Sequence, residues 1–219
     1  SGENPAEPLD PTPPRPMDAL RAGDRAAFKK ALSQDPKAVN GKGFGGSTAL
    51  MYATLYGDLA DVRELLDKGA DANIRNNAGA TALMWAVTDP EKTRLLLERG
   101  ADVNARSDDS RTPLMIAAGL VDSAPVVKML LEHKANPSVK ASSLFGDWTP
   151  LSAAASTGNE AALRLLLDNH ADLKAAGSWW YPIVGRAPYR GFFDRPASEA
   201  AGRRLAAQGL DVDVRAAAA

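Results

Sequence analysis

Two histidines, His133 and His170, are the strongest metal-ligating side chains in this 219-residue sequence, and it holds no cysteine. Without cysteine there is no disulfide, thiolate metal ligand, cysteine nucleophile or covalently attached c-type haem. A zinc site needs three or four converging ligands. The two histidines stand far apart, each near the end of a predicted helix, and are expected to be structural. Gly41-x-Gly43-x-Gly45-Gly46 has a glycine spacing reminiscent of a phosphate-binding loop. It lacks the preceding apolar strand and the Lys-Ser/Thr pair that such a loop needs, so an ordinary connecting loop is expected. Asp102 with Asp108 and Asp109 could hold a cation, but acidic loop tips are usually just solvated. No set of groups converges on a reacting centre. The sequence therefore predicts no catalytic residue, no metal, no cofactor and no small-molecule substrate.

Composition narrows the remaining classes. Hydrophobic residues make up 45% and charged residues 24% of the chain, as in an ordinary folded protein, so wholesale disorder is not expected. The 26 Lys and Arg nearly balance the 27 Asp and Glu, for a net charge of -1. That balance gives no electrostatic reason to propose nucleic acid or an anionic membrane surface as partner. No apolar run approaches the roughly 20 residues of a membrane helix, so no membrane insertion is expected. The sequence opens at Ser1 without Met, which is compatible with a targeting segment removed upstream.

The elements that position these side chains repeat. Thr48-Ala49-Leu50-Met51 recurs as Thr81-Ala82-Leu83-Met84, Thr112-Pro113-Leu114-Met115 and Thr149-Pro150-Leu151-Ser152, at offsets of 33, 31 and 37 residues. A second marker follows each: Leu65-Leu66 before Gly69-Ala70-Asp71, Leu95-Leu96-Leu97 before Gly100-Ala101-Asp102, Leu130-Leu131 before Lys134-Ala135-Asn136, and Leu165-Leu166-Leu167 before His170-Ala171-Asp172. Thr is expected to cap a short helix, with Pro suited to its first turn. Gly57 and Gly158 then let the chain turn into a second helix that buries the leucines. Gly69 and Gly100 end that helix in the left-handed region. Polar stretches such as 73–79 are expected to form hairpin fingers between units.

Thr-Pro-Leu, the leucines of the second helix, Gly-Ala-Asp and a period near 33 residues together resemble the ankyrin repeat. The resemblance covers residues 48–174, and Met17 to Leu32 looks like a degenerate capping unit. It implies an all-α fold: an ankyrin-repeat solenoid of stacked helix-turn-helix units with hairpin finger loops. The expected division is a Pro-rich arm at 1–16, a capping repeat at 17–47, and repeats at 48–80, 81–111, 112–148 (with a long finger) and 149–177. An aromatic-rich C-terminal cap at 178–219 completes it. The family usually carries His where this chain has Met51, Met84, Met115 and Ser152, so apolar packing is expected in place of hydrogen bonds between repeats. Lys134 and His170 replace the terminating glycine and should add a little strain.

The same resemblance implies a function. Ankyrin arrays grip other proteins with a concave face built from finger tips and first helices. In register, the positions carried over here are Phe44, Leu55, Tyr56, Asn77, Asp108, Arg111, Leu120, Phe145 and Trp148. Several are large and apolar, the type enriched at interface hot spots. The expected partner is another protein and the expected role is non-catalytic.

Residues 182–215 also resemble a stretch of a family of bacterial zinc aminopeptidases. The His-Glu-x-x-His motif of that family is absent, so its activity does not carry over. A remaining enzymatic alternative would place a site in this C-terminal segment, which holds six of the thirteen aromatic residues between 179 and 193. Ala80 to Val87 and Ala101 to Ser107 resemble bacterial ankyrin proteins, some of which join such arrays to cytochrome c domains. The alternative function is thus an accessory subunit or targeting module of a larger exported, redox-linked bacterial assembly. An exported, periplasmic location is expected in preference to a cytoplasmic one.

Overall fold

The computed structural model describes residues 15–143 and 146–172. Ten α-helices in this part form five consecutive pairs: α1 (Pro16–Ala22) with α2 (Arg25–Gln34), α3 (Ala49–Tyr56) with α4 (Leu59–Asp67), α5 (Ala82–Ala86) with α6 (Pro90–Glu98), α7 (Pro113–Ala118) with α8 (Ala124–Glu132), and α9 (Pro150–Thr157) with α10 (Glu160–Asp168). First helices pack in a row, α1 on α3, α3 on α5, α5 on α7 and α7 on α9. Second helices form a parallel layer, α4 on α6, α6 on α8 and α8 on α10. No short pair can bury its leucines alone, whereas stacking makes one continuous core. A two-stranded antiparallel hairpin, β1 (Ala141–Ser143) with β2 (Gly146–Trp148), forms the long finger and pairs Ala141 with Trp148.

Register explains the core. Leu65, Leu96, Leu130 and Leu166 occupy one position of the second helices, and all four are fully buried at 0% exposure. Two residues after each threonine, Leu50, Leu83, Leu114 and Leu151 are buried as well. Met51, Met84 and Met115 lie inside, as apolar packing in place of histidine requires. Ser152 is also buried, and it stays within its own helix: its hydroxyl accepts from the Thr149 N–H and donates to the Thr149 carbonyl.

Threonine capping holds for three of the four units. The hydroxyls of Thr48, Thr112 and Thr149 accept from the N–H groups of Met51, Met115 and Ser152. Thr81 departs from expectation: its hydroxyl is buried, makes no cap bond and has no partner. It opens the shortest first helix, five residues long, in the shortened unit. Such an unsatisfied group costs on the order of 1–3 kcal/mol.

The second helices α4, α6, α8 and α10 end identically, whereas α2 ends at Asp35 with φ -134°. The N–H of Ala70, Ala101, Ala135 and Ala171 reaches back to the carbonyl of Leu65, Leu96, Leu130 and Leu166. This closure places the preceding residue in the left-handed region: Gly69 at φ 89°, Gly100 at 82°, Lys134 at 69° and His170 at 61°. The geometry is kept even where glycine is not. Gly57, expected to act by turning freely, is extended at φ -88°; what it supplies is room, because a Cβ would stand 3.0 Å from an Asp61 carboxylate oxygen.

Asparagine pins one unit to the next. Asn40 donates to the Gly69 carbonyl and accepts from the Asp71 N–H. Asn73 does the same with Gly100 and Asp102, and Asn104 with Lys134 and Asn136. At the last described joint Ser138 stands in the series, and its hydroxyl accepts the Asp172 N–H. The Pro-rich arm apart from Arg15 and Pro16, and the aromatic C-terminal segment, lie outside the described residues.

Candidate functional site

The first-helix row carries a line of large side chains. Four residues after their threonines stand Tyr52, Trp85 and Ile116, all packed on the common core. Tyr52 stacks on Tyr56 at 6.1 Å between ring centroids and meets Trp85 edge-on at 6.3 Å. An aromatic ladder therefore crosses from α3 to α5. Tyr56 remains 55% exposed and Leu55 50% exposed at the end of α3, while Phe44, on the finger before it, is 83% exposed. Leu55, Tyr56 and Phe44 are exposed as their register implies, while Tyr52, Trp85 and Ile116 were not singled out in the sequence. Their recurrence at one register position was the available signal.

Fingers are tied side by side. The Asn77 N–H donates to the Gly45 carbonyl, and the Asp108 N–H donates to the Ala78 carbonyl. Across the same joints Lys42 Nζ donates to the Arg75 carbonyl and Arg75 forms an ion pair with Asp108 at 2.9 Å. Arg106 continues the series to the Lys140 carbonyl. Asn77, Asp108 and Arg111 are exposed as expected. Asp108 and Arg111 also have intramolecular partners, because Arg111 pairs with Asp109.

Two expected surface positions are corrected by packing. Leu120 is half-buried against the main core. Trp148 is half-buried too, lying on Met115, Val139 and Ala141, because the long finger folds back as a hairpin and covers its own aromatic residue. Phe145 lies outside the described residues. Val121, in the turn after α7, is 73% exposed and was not singled out in the sequence.

The polar groups that looked chemically promising are committed to structure. His133 Nδ1 bonds its own helix at the Met129 carbonyl, 2.9 Å away. His170 occupies the helix-ending left-handed position. Asp108 and Asp109 are paired with Arg75 and Arg111. Among the described residues no group of three or more His, Asp or Glu is placed to hold a metal. The glycine-rich stretch is a short 3-10 turn, Phe44–Gly46, at a finger tip.

Clamps between neighbouring units use other side chains. Lys92 is buried, and its Nζ donates to the carbonyls of Thr54 at 3.0 Å and Gly57 at 2.9 Å, capping α3 from the following unit. Asn159 plays the same part for α7 through the Leu120 carbonyl at 2.7 Å. Arg25 bridges Asp58 and Asp61 at the start of α4. The Asp61 backbone N–H, with help from Arg25, holds the Asp58 carboxyl below its ordinary range against the opposing effect of burial, and the Asp58 contact raises Arg25.

Comparison with known proteins agrees with this architecture. The family described as "Ankyrin repeats (3 copies)" matches residues 17–107 and 88–176. A family described as "Putative aminopeptidase" matches residues 161–219, a span with one histidine, and His-Glu-x-x-His occurs nowhere in the chain. A probable E3 ubiquitin-protein ligase of Oryza sativa subsp. japonica is 41% identical over 71 residues, which is 32% of this chain but only 14% of that protein. No helix among the described residues is long and apolar enough to cross a membrane. The ankyrin-repeat fold is one that generally serves as a protein-interaction scaffold. By its repeat markers, its stacked helix pairs and a family match spanning most of its length, the chain belongs to the ankyrin-repeat family.

Proposed function

We propose that the chain binds a protein partner through the face made by its first helices and fingers, and that this binding is its function. Its units run 17–47, 48–80, 81–111, 112–148 and 149–177. Phe44, Leu55 and Tyr56 form the centre, with Asn77, Asp108 and Arg111 as a polar rim; the half-buried Leu120 and Trp148 border it, and Phe145 belongs to the same set by sequence register alone. The observation that carries this reading is the exposure of Phe44, Leu55 and Tyr56, at 83%, 50% and 55%, beside a buried leucine core. Exposed aromatic and leucine side chains on one face cost solubility and add nothing to stacking, so a partner is their natural cover.

The test is affinity measured by calorimetry, once a partner has been isolated from the native extract and purified. Tyr56→Ala should weaken binding by about 2 kcal/mol or more, while Tm stays unchanged, because half of the ring is already in water. Unchanged affinity in Tyr56→Ala and in Leu55→Ala would remove this face from the interface.

A further inference from the structure

The outward faces of the second helices repeat in charge as well as in shape. The fifth residue after the N-cap is basic in every one: Lys29, Arg63, Arg94, Lys128 and Arg164. Four residues further on, α4, α6, α8 and α10 each end on an acid, Asp67, Glu98, Glu132 and Asp168, where α2 has Ser33. All of these side chains are exposed. Because α4 packs on α6, α6 on α8 and α8 on α10, stacking lines them up as a basic row and an acidic row. The rows lie one helical turn apart, and neighbours within a row are about 8–10 Å apart.

A merely solvated face needs charge but no fixed sign at a fixed position. The exposed position three residues before the basic row has no common character, with Ala60, Glu91, Pro125 and Ala161. At the two charged rows the sign never changes from α4 to α10. Nor do the rows serve the helices that carry them. A carboxylate at a helix C-terminus opposes the helix dipole, and a base four residues before an acid is the less favourable order for a pair within a helix. Of these pairs only Lys128 with Glu132 closes, at 3.8 Å. Asp67 turns to Arg99 and Arg164 to Glu160. Among the described residues Arg63, Arg94, Glu98 and Asp168 enter no ion pair.

We infer that the two rows are a docking surface for a second copy of this chain, packed back to back through its own second helices. Charge complementarity selects that occupant. A polyanion laid along the basic row would meet the acidic row one turn away, and a polycation would meet the reverse. A second copy carries both rows at the same spacing. With a two-fold axis along the stack, between the rows, each basic row faces the partner's acidic row unit by unit. A two-fold axis across the rows would set like charges together. Arg94 then meets the partner's Glu98, and Glu98 meets the partner's Arg94. The net charge of -1 leaves no long-range repulsion to keep two copies apart. Such a dimer leaves both first-helix rows uncovered, so it does not rest on the binding face proposed above.

Sedimentation equilibrium of the full chain tests this. At low ionic strength we expect a reversible dimer. Its Kd should rise about tenfold or more at physiological ionic strength, where exposed charges are screened beyond about 8 Å. Arg94→Glu and Glu98→Arg should each weaken the dimer about tenfold or more, because each sets like charges face to face at two symmetric places. The double variant Arg94→Glu/Glu98→Arg exchanges the signs and should return Kd to within about threefold of the parent, the signature of contact between the two positions. Both side chains are exposed and outside any ion pair, so all three variants keep the fold, which melting curves check. A chain that stays monomeric at low ionic strength overturns the proposal. So does a dimer indifferent to salt, or one that the single changes weaken and the double variant does not restore. A dimer abolished by Tyr56→Ala instead would place the contact on the first-helix row and overturn it as well.

Discussion

The first three joints of the stack and the last described joint perform the same task with different parts. At the first three, Asn40, Asn73 and Asn104 each bridge a carbonyl and an N–H of the next unit. At the last, the Ser138 hydroxyl accepts one N–H. Helix endings diverge along the same direction, with glycine in the left-handed position after α4 and α6 and then Lys134 and His170 after α8 and α10. The leucines do not diverge at all. The stack is therefore specified by its buried layer, while the polar joints and turns are free to change, because exposed hydrogen bonds each contribute little.

The largest effect should come from the shared layer. Leu96→Ala and Leu166→Ala are each expected to cost about 2–5 kcal/mol, measured by chemical denaturation, since both side chains are at 0% exposure. If Leu166→Ala proved nearly neutral beside a costly Leu96→Ala, the two halves would differ in their core as well as their joints. The joints come next. Asn73→Ala removes two hydrogen bonds and should cost about 1–2 kcal/mol, against about 0.5–1 kcal/mol for Ser138→Ala. Equal costs would mean that the asparagine is not the stronger pin.

These differences separate what sequence reading could and could not supply. Thr-x-Leu and the leucine pairs announce helices, register and core directly, since one residue type at one spacing has one physical use. Strain at Lys134 and His170 was legible for the same reason. Lys92 was not, because a lysine in a helix ordinarily points to water, and only the assembled stack reveals the two carbonyls of α3 that it caps. Nor was the failed cap at Thr81, which arises in a shortened unit. At the candidate site, the exposure of Leu55 and Tyr56 was legible from register. The half-burial of Trp148 was not legible, because an inserted finger has no fixed register, and its fold back onto Val139 and Ala141 is a tertiary event.

A smaller effect tests the helix endings. Lys134→Gly should stabilise the fold by about 1 kcal/mol, because glycine occupies the left-handed region without the cost a β-carbon brings. The matching change in the first half, Gly69→Ala, should destabilise by a similar amount; its φ of 89° leaves an L-residue strained although space around it is open. Thermal melting of both variants reads the two signs. Loss of stability in Lys134→Gly would mean that the lysine side chain contributes more than its backbone strain costs.

The smallest effect distinguishes a charged clamp from a neutral one. Arg25 holds Asp58 and Asp61 at the entry to α4, whereas Asn159 holds the Leu120 carbonyl without any charge. Asp58 has its folded-state carboxyl held below the ordinary value, first by the Asp61 N–H and then by Arg25. Its contribution is therefore complete above the ordinary aspartate pKa of about 3.9 and is lost as pH falls through the lower folded value. The side chain is half exposed, which limits the contribution to a few tenths of a kcal/mol. Asp58→Asn isolates it, because asparagine caps a helix about as well as aspartate and only the charge is removed. At pH 6 the variant should be less stable than the parent by that small margin, and the gap should close as the solution is acidified below the aspartate range. Asn159→Ala, in contrast, should cost the same at every pH in that interval, since no titrating group takes part in its hydrogen bond. A gap between parent and Asp58→Asn that stayed constant down to acid pH would show that the carboxylate's charge adds nothing to this clamp, leaving it, like its neutral counterpart, a matter of hydrogen-bond geometry.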